Sequence, residues 1–141
     1  MMNATINPDP LERITDFAVA HGANGCFVGW DREFVRQYIA FHAGQNTLAV
    51  VHDRGEPVAM GTAIQCDSDQ IGQRWNWAPT NPHGQVLLIL DVISTRAGAM
   101  SLLFLKMFRL WPPGSVKRIL ALRPSGPREI SSRYMALTAQ R

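Results

Sequence analysis

One carboxylate interrupts the most apolar segment of the sequence. Residues 86–93 form a run of Val, Leu and Ile that is broken only at Asp91. Such a run predicts a strand buried on both faces, and strand alternation predicts that Asp91 shares its face with residues 87, 89 and 93. Because burying a lone charge is costly, this carboxylate must be paired, hydrogen-bonded, protonated or near solvent.

Two interpretations of Asp91 stay open at this point. In the structural one, the carboxylate caps the following turn or pairs with an arginine of the C-terminal third. In the functional one, it acts as an acid, a base or an orienting group next to a histidine. The position of Asp91 keeps the functional interpretation open, because a strand ends there and a candidate ligand-binding turn begins.

Small and polar residues separate this strand from a helix predicted over residues 100–111 and stopped by the following Pro-Pro-Gly. A helix start presents N–H groups that have no partner inside the helix, and such groups suit phosphate or another anion. The sequence therefore predicts an anion-binding turn formed by Ser94, Thr95, Arg96, Ala97, Gly98 and Ala99.

Of the four histidines, His21 is the candidate for a cleft, because it begins the glycine-rich break at residues 21–25. His42 ends an apolar helix face and His52 ends a strand, so both are interpreted as structural, and His83 is expected in an exposed loop. No histidine has metal-ligand spacing to a Cys or Asp, so no metal site is predicted.

Length and composition favour one domain, residues 1–141, with 1–9 as a loose lead-in and 136–141 as a tail. No run is long enough to span a membrane, and the first residues lack the basic and apolar regions of a signal peptide. Cys26 and Cys66 form no CxxC pair. We therefore expect a reduced, cytoplasmic protein.

Charge is distributed unevenly along the chain. Residues 1–95 hold ten of the 11 acidic residues and five of the 14 Lys and Arg, which leaves one acid and nine basic residues in 96–141. Such a segment indicates an anionic partner, either nucleic acid, a phosphate-bearing cofactor or an acidic protein, or simply a solvated basic face. No recognised nucleic-acid-binding motif accompanies it.

The predicted elements form a mixed sheet with helices packed on it. Helices are expected from Pro10 to about Ala20 and from Asp31 to Gly44. Strands are expected over 47–52, 57–65, 85–94 and 115–122, with turns at 53–56 and 123–128 and a short strand or helical turn at 129–135. A hairpin followed by strand, helix and parallel strand is typical of an α+β domain.

This layout resembles the GNAT acyltransferase fold, in which a helical N-terminal part precedes a hairpin, a central strand, a cofactor-binding turn and a helix. The family's acyl-CoA signature is Gln/Arg, two residues, Gly, one residue and Gly/Ala. The matching turn here reads Arg96-Ala97-Gly98-Ala99-Met100, with the glycine one position early. The resemblance implies an acyl-CoA donor, and it implies that Tyr134, in the region that follows the last strands, protonates the leaving thiol.

The sequence is also similar to a branch of that fold, the bacterial toxin-activating lysine acyltransferases, which take an acyl group from acyl carrier protein. The similarity rests on Asp53-Arg-Gly-Glu-Pro-Val-Ala59 and on Leu90-Asp91-Val-Ile93, whose Asp is catalytic in that branch. It implies that Asp91 is catalytic together with a histidine near the chain start, for which His21 is the nearest candidate. The implied acceptor is an amine, either a protein lysine or a small molecule.

A second hypothesis is a non-catalytic protein that keeps the fold and acts as a structural or assembly subunit, for example in a virus particle. The helix at 100–111 is apolar on most sides, with Lys106 and Arg109 as its charges. Such a helix is either deeply buried or packed on a partner, so a homo- or hetero-oligomer is also expected under this hypothesis.

Overall fold

A computed structural model describes residues 9–23, 25–67, 81–111, 115–123 and 126–130. Three helices and five strands are formed within these ranges, in the order α1 Pro10–Gly22, α2 Arg32–Gln45, β1 Leu48–Asp53, β2 Glu56–Cys66, β3 Val86–Ser94, α3 Ala97–Leu110, β4 Arg118–Arg123 and β5 Gly126–Glu129. The strands form one sheet in chain order. Only β3 and β4 pair in parallel among these described strands, so the predicted mixed α+β fold is confirmed.

Both N-terminal helices begin at an aspartate that caps them. The Asp9 carboxylate accepts a hydrogen bond from the Leu11 N–H at 2.9 Å, and that of Asp31 accepts one from the Phe34 N–H at 2.8 Å. The end predicted for α2 at Gly44 was wrong by one residue. The helix runs to Gln45 and is closed by Asn46 in the left-handed conformation, with φ of 61°.

The hairpin turn lies where the sequence predicted it. Arg54 and Gly55 have φ of 54° and 82°, the pair of positive angles that a type I′ hairpin turn requires. The C-terminal strands differ from prediction. β4 begins three residues later than expected. β5 occupies Gly126–Glu129, where a turn was predicted up to residue 128 and a short strand or helical turn from residue 129. Residues 126–129 become a strand because they pair with β4, and a pairing between separate segments cannot be read from local sequence.

Helix α3 begins at Ala97, three residues earlier than predicted. Arg96 is extended and takes the cap position, while the following alanines are strong helix formers. The last residues of the predicted anion-binding turn, 97–99, are therefore the first turn of α3. The N–H groups at the start of α3 therefore follow the end of β3 after only two residues.

The sheet separates two apolar layers. Helix α3 covers one face, where Leu103 and Met107 approach Gly61 closely enough that a Cβ there would lie 3.3 and 3.1 Å from them. Helices α1 and α2 cover the other face, whose core members are Phe17, Ala18, Phe27, Val35, Tyr38, Ile39, Met60 and Ile93. Helix α3 buries one side only, since Leu102 and Leu110 are 53% and 38% exposed.

Candidate active site

A β-bulge determines where the Asp91 side chain points. Asp91 pairs with Thr62 and Ile89 pairs with Ala63, so Leu90 is an extra residue in β3. The bulge breaks the alternation that the sequence analysis assumed. Leu87 and Ile89 face α3, whereas Asp91 faces α2, and the predicted shared face was therefore wrong for these residues.

Asp91 is a buried carboxylate, 4% exposed, held by a tyrosine from α2. The Tyr38 hydroxyl donates to Asp91 Oδ2 at 2.5 Å and lies 2.7 Å from Thr62 Oγ1. Because the single tyrosine proton goes to the carboxylate, the Thr62 hydroxyl donates to Tyr38. The result is a hydrogen-bonded chain from β2 through α2 to β3. Neither Tyr38 nor Thr62 was singled out from the sequence.

His42 lies one turn after Tyr38 on the same side of α2. The two rings are 4.6 Å apart in an edge contact, and His42 Nδ1 is 2.6 Å from Thr47 Oγ1. The side chain is fully buried, and burial lowers the pKa of His42 to about 4. A signal for these two residues existed in the sequence, since Tyr38 and His42 are polar groups four positions apart on an apolar helix stripe.

His21 occupies a different position. It lies in the last turn of α1, is exposed, and packs its ring on Phe17 at 4.9 Å. The histidine that the structure brings next to the tyrosine of Asp91 is thus His42. Tyr134 lies outside the described residues.

The junction between β3 and α3 leaves backbone donors at the helix start. The N–H and Oγ1 of Thr95 both bond to the carbonyl of Val58 at 3.0 Å, and Ser94 Oγ donates to the Arg96 carbonyl at 2.8 Å. Arg96 makes no side-chain cap bond, so the N–H groups of Ala97 and Gly98 have no partner within the helix.

The Arg96 side chain reaches away from the helix start, where it forms an exposed ion pair with Asp53 at the end of β1. Such an exposed pair is worth no more than about 1 kcal/mol.

Strands β3 and β4 separate towards this junction. Their parallel pairing covers residues 86–89 of β3 and ends at Ile89 with Ala121. Strand β3 then continues to Ser94 with β2 as its partner, while β4 continues to Arg123 with β5. Asp91 lies two residues past the last β3–β4 pair, and α3 begins at Ala97, shortly after the end of β3.

The described part of the chain offers no membrane-spanning helix and no cluster of metal ligands. None of its helices is long and apolar enough to cross a membrane. None of its His, Cys, Asp and Glu side chains gather in groups of three or more that would suit a metal ion.

Two solved structures resemble this arrangement. One is the GNAT-like decarboxylase GphF in complex with isobutyryl-CoA, with a TM-score of 0.60 and 12% identity over 82% of this chain and 62% of that one. The other is a GNAT-family acetyltransferase from Colwellia psychrerythraea, with a TM-score of 0.56 and 10% identity over 99% of this chain and 44% of that one. The chain thus spans less than two thirds of either neighbour. No protein-family model and no curated protein matches its sequence.

These likenesses, together with the sheet order and the strand–helix–strand unit, define the class: the chain has a GNAT-like α+β fold. At 12% and 10% identity the neighbours establish the fold and not the reaction.

Proposed function

We propose that this protein binds an acyl thioester, carried by coenzyme A or acyl carrier protein, and transfers the acyl group to an amine. The observation that carries the proposal is the end of the β3–β4 pairing at Ile89 and Ala121, beyond which β3 continues towards the start of α3. One solved protein of the same fold holds isobutyryl-CoA, which supports a thioester as the ligand.

The donor would bind through its phosphate and its extended arm. The N–H groups of Ala97 and Gly98 suit a phosphate oxygen, because they lie at the positive end of the α3 dipole. Among the described residues, β3 and β4 stop pairing with each other after Ile89 and Ala121. Strand edges that diverge in this way suit the amides of a phosphopantetheine arm, in the manner of an added strand. Coenzyme A and acyl carrier protein share this arm, and similarity to the toxin-activating branch favours the second.

The transfer needs two proton movements. The amine nitrogen attacks the thioester carbonyl carbon and loses a proton as the new C–N bond forms. The C–S bond then breaks, and the leaving thiolate gains a proton. In this proposal Asp91 accepts the amine proton, with His21 as the histidine implied by the family resemblance, and Tyr134 protonates the thiolate.

The experiment uses a proline at the first position of α3. Ala97→Pro removes the N–H proposed to bind phosphate, while proline suits this helix position and the preceding Arg96 is already extended, with φ −140° and ψ 147°. We expect an unchanged melting temperature and tenfold to hundredfold weaker binding of acetyl-CoA by calorimetry, the loss of about one charge-assisted hydrogen bond.

Ala97→Ser is the matched control, because it keeps the N–H at the same position, and it should bind like the unaltered protein. A parallel titration with acyl-loaded acyl carrier protein tells which donor is used. If both variants bind both thioesters equally well, the helix start is not the donor site.

A second candidate is a non-catalytic protein with the same fold. It is favoured by the burial of Asp91 under Tyr38 and by the use of Arg96 in pairing with Asp53. Asp91→Asn separates the two candidates, since an asparagine can still accept the Tyr38 bond. If the unaltered protein acylates a lysine peptide from a thioester donor and the folded Asp91→Asn variant does not, the protein is an enzyme. If the unaltered protein acylates no peptide with either donor, the non-catalytic candidate is supported.

A further inference from the structure

Strand β1 forms an open edge of the sheet. Among the described strands it pairs with β2 alone, and its pairing is regular up to Val51. The Ala63 N–H donates to the Thr47 carbonyl at 3.2 Å, so every second residue from Thr47 onwards turns its backbone groups towards β2. Leu48 and Val50 lie between these residues, and their N–H and carbonyl groups therefore point away from the sheet.

A lysine of α3 reaches this outer edge. Lys106 Nζ donates to the Val50 carbonyl at 2.7 Å, which places one side of α3 beside β1. A lysine in this position commonly prevents an edge strand from pairing with another chain. Here its bond covers one carbonyl, and the N–H groups of Leu48 and Val50 remain open to an added strand.

The side of α3 that lies next to the edge is both apolar and basic. Leu102, Lys106, Arg109 and Leu110 follow one another at intervals of four, three and one residues, so they share one side of the helix. All four are exposed, the two leucines by 53% and 38%. Helix α3 contains no acidic residue. We call these four side chains, together with the outer edge of β1, the β1–α3 surface.

The composition of this surface indicates the kind of partner. An edge that is only protected from pairing would be flanked by polar side chains, whereas exposed leucines add apolar area that a bound segment can bury. A second copy of this chain is disfavoured, because a two-fold contact between two β1 edges would set the basic sides of two α3 helices opposite each other. An acidic partner instead complements Lys106 and Arg109.

We propose that the β1–α3 surface binds an extended segment of another protein, which adds to β1 as a further strand. Alternate side chains of such a strand face α3, and we infer that these are apolar and acidic. An N–H of the added strand then replaces Lys106 at the Val50 carbonyl, and the freed ammonium pairs with a carboxylate of the segment. Such a charge-assisted hydrogen bond is stronger than the bond to a carbonyl that it replaces.

The probe is a fluorescein-labelled peptide, Thr-Leu-Thr-Glu-Thr-Leu-Thr-Glu-Thr, which presents leucine and glutamate on one face of a strand. We expect saturable binding to the unaltered protein by fluorescence anisotropy. Two control peptides should bind at least about tenfold more weakly: one with lysine in place of glutamate, and one that is fully N-methylated and has no backbone N–H to donate. Equal binding of either control, or no binding of the probe, overturns the inference.

Two charge reversals locate the binding site. Arg109→Glu removes a positive charge from the β1–α3 surface, and we expect it to weaken peptide binding about tenfold. Lys117→Glu is the matched control, because it makes the same change at an exposed residue next to β4. This variant should bind like the unaltered protein. An equal loss in both folded variants would show that binding follows net charge alone, and the surface would not be the site.

Sedimentation velocity and competition test the other occupants. We expect the unaltered protein to be monomeric without peptide. A dimer that Leu102→Asp dissociates would assign the surface to a second copy and overturn the proposal, and displacement of the peptide by single-stranded DNA would assign it to nucleic acid with the same consequence. No thioester is involved, so these results do not depend on the proposed acyl transfer.

Discussion

The hydroxyl of Tyr38 stabilises the buried Asp91 carboxylate by a hydrogen bond. A hydrogen bond to a charged group contributes about 1.5–3 kcal/mol, and here the donor is itself oriented by Thr62. The Tyr38 ring is fixed by edge contacts with Phe27 and Trp30, so the hydroxyl has little freedom to leave. Asp91 is thus held in one orientation by a neutral group.

His42 makes stability depend on pH. Its folded-state pKa of about 4 lies below the ordinary 6.5, so the unfolded chain binds the proton more readily between these values. We expect the free energy of unfolding to fall as pH is lowered from 6.5 to 4, by up to about 3 kcal/mol from this group. Above pH 7 this contribution is complete and constant.

Urea unfolding at a series of pH values checks this, with His42→Gln as the control because glutamine does not titrate. The difference between the two proteins isolates the histidine from the carboxylates that titrate in the same range. Parallel profiles from pH 7 to 4 would contradict a buried neutral His42.

A glycine on β2 sets the position of helix α3. Gly61 faces α3, and its bare Cα lets Leu103 and Met107 lie against the strand. This contact fixes the distance of α3 from the sheet, and with it the position of the N–H groups behind β3. Lys106 adds a bond from its Nζ to the Val50 carbonyl at 2.7 Å.

Adding one methyl group at two glycines should have opposite effects. Gly61→Ala brings a Cβ within 3.1 Å of the Met107 sulfur, and we expect a loss of roughly 1 kcal/mol, because overpacking outweighs the gain from removing a strand glycine. Gly98→Ala meets nothing within 4 Å and should stabilise α3 by roughly 0.5–1 kcal/mol. Urea unfolding measures both; a shift of the same sign would contradict the packing described.

For the whole molecule, β2 and β3 join the two apolar layers. Met60 and Ile93 belong to the layer under α1 and α2, while Ala63 and Leu87 belong to the layer under α3. Because the same strands line both layers, neither layer can be lost without the other. We therefore expect one cooperative unfolding transition.

Leu103→Ala should destabilise the protein as a unit. Leu103 is 0% exposed, so its truncation leaves a cavity that costs about 3 kcal/mol. Its neighbour Leu102 is 53% exposed, and Leu102→Ala should stay within about 0.5 kcal/mol of the unaltered protein. Thermal unfolding followed by circular dichroism and by tryptophan fluorescence should give coincident curves for both variants. Separate transitions would show that the layers unfold independently.

Much of the fold could be predicted from local pattern. The caps at Asp9 and Asp31, the turn at Arg54 and Gly55 and the order strand, helix, strand after residue 85 all follow from short-range preferences. The predictions of where α3 starts and how far β5 extends were less accurate, because these boundaries depend on packing and on a neighbouring strand.

The site was predictable only in part. Asp91 was recognised because a charge in an apolar run is conspicuous in any single sequence. Its partner was not, since Tyr38 lies on a distant element and a tyrosine on an apolar helix face looks like an ordinary core residue.

Local sequence was enough to predict most of the elements, their order and the one carboxylate within an apolar run, because these follow from the properties of neighbouring residues. The face that the carboxylate occupies depends on strand pairing instead. One extra residue in β3, visible only in its pairing with β2, turns Asp91 away from α3 and towards Tyr38. Register and long-range contact are properties of paired segments, so no single stretch of the chain contains them.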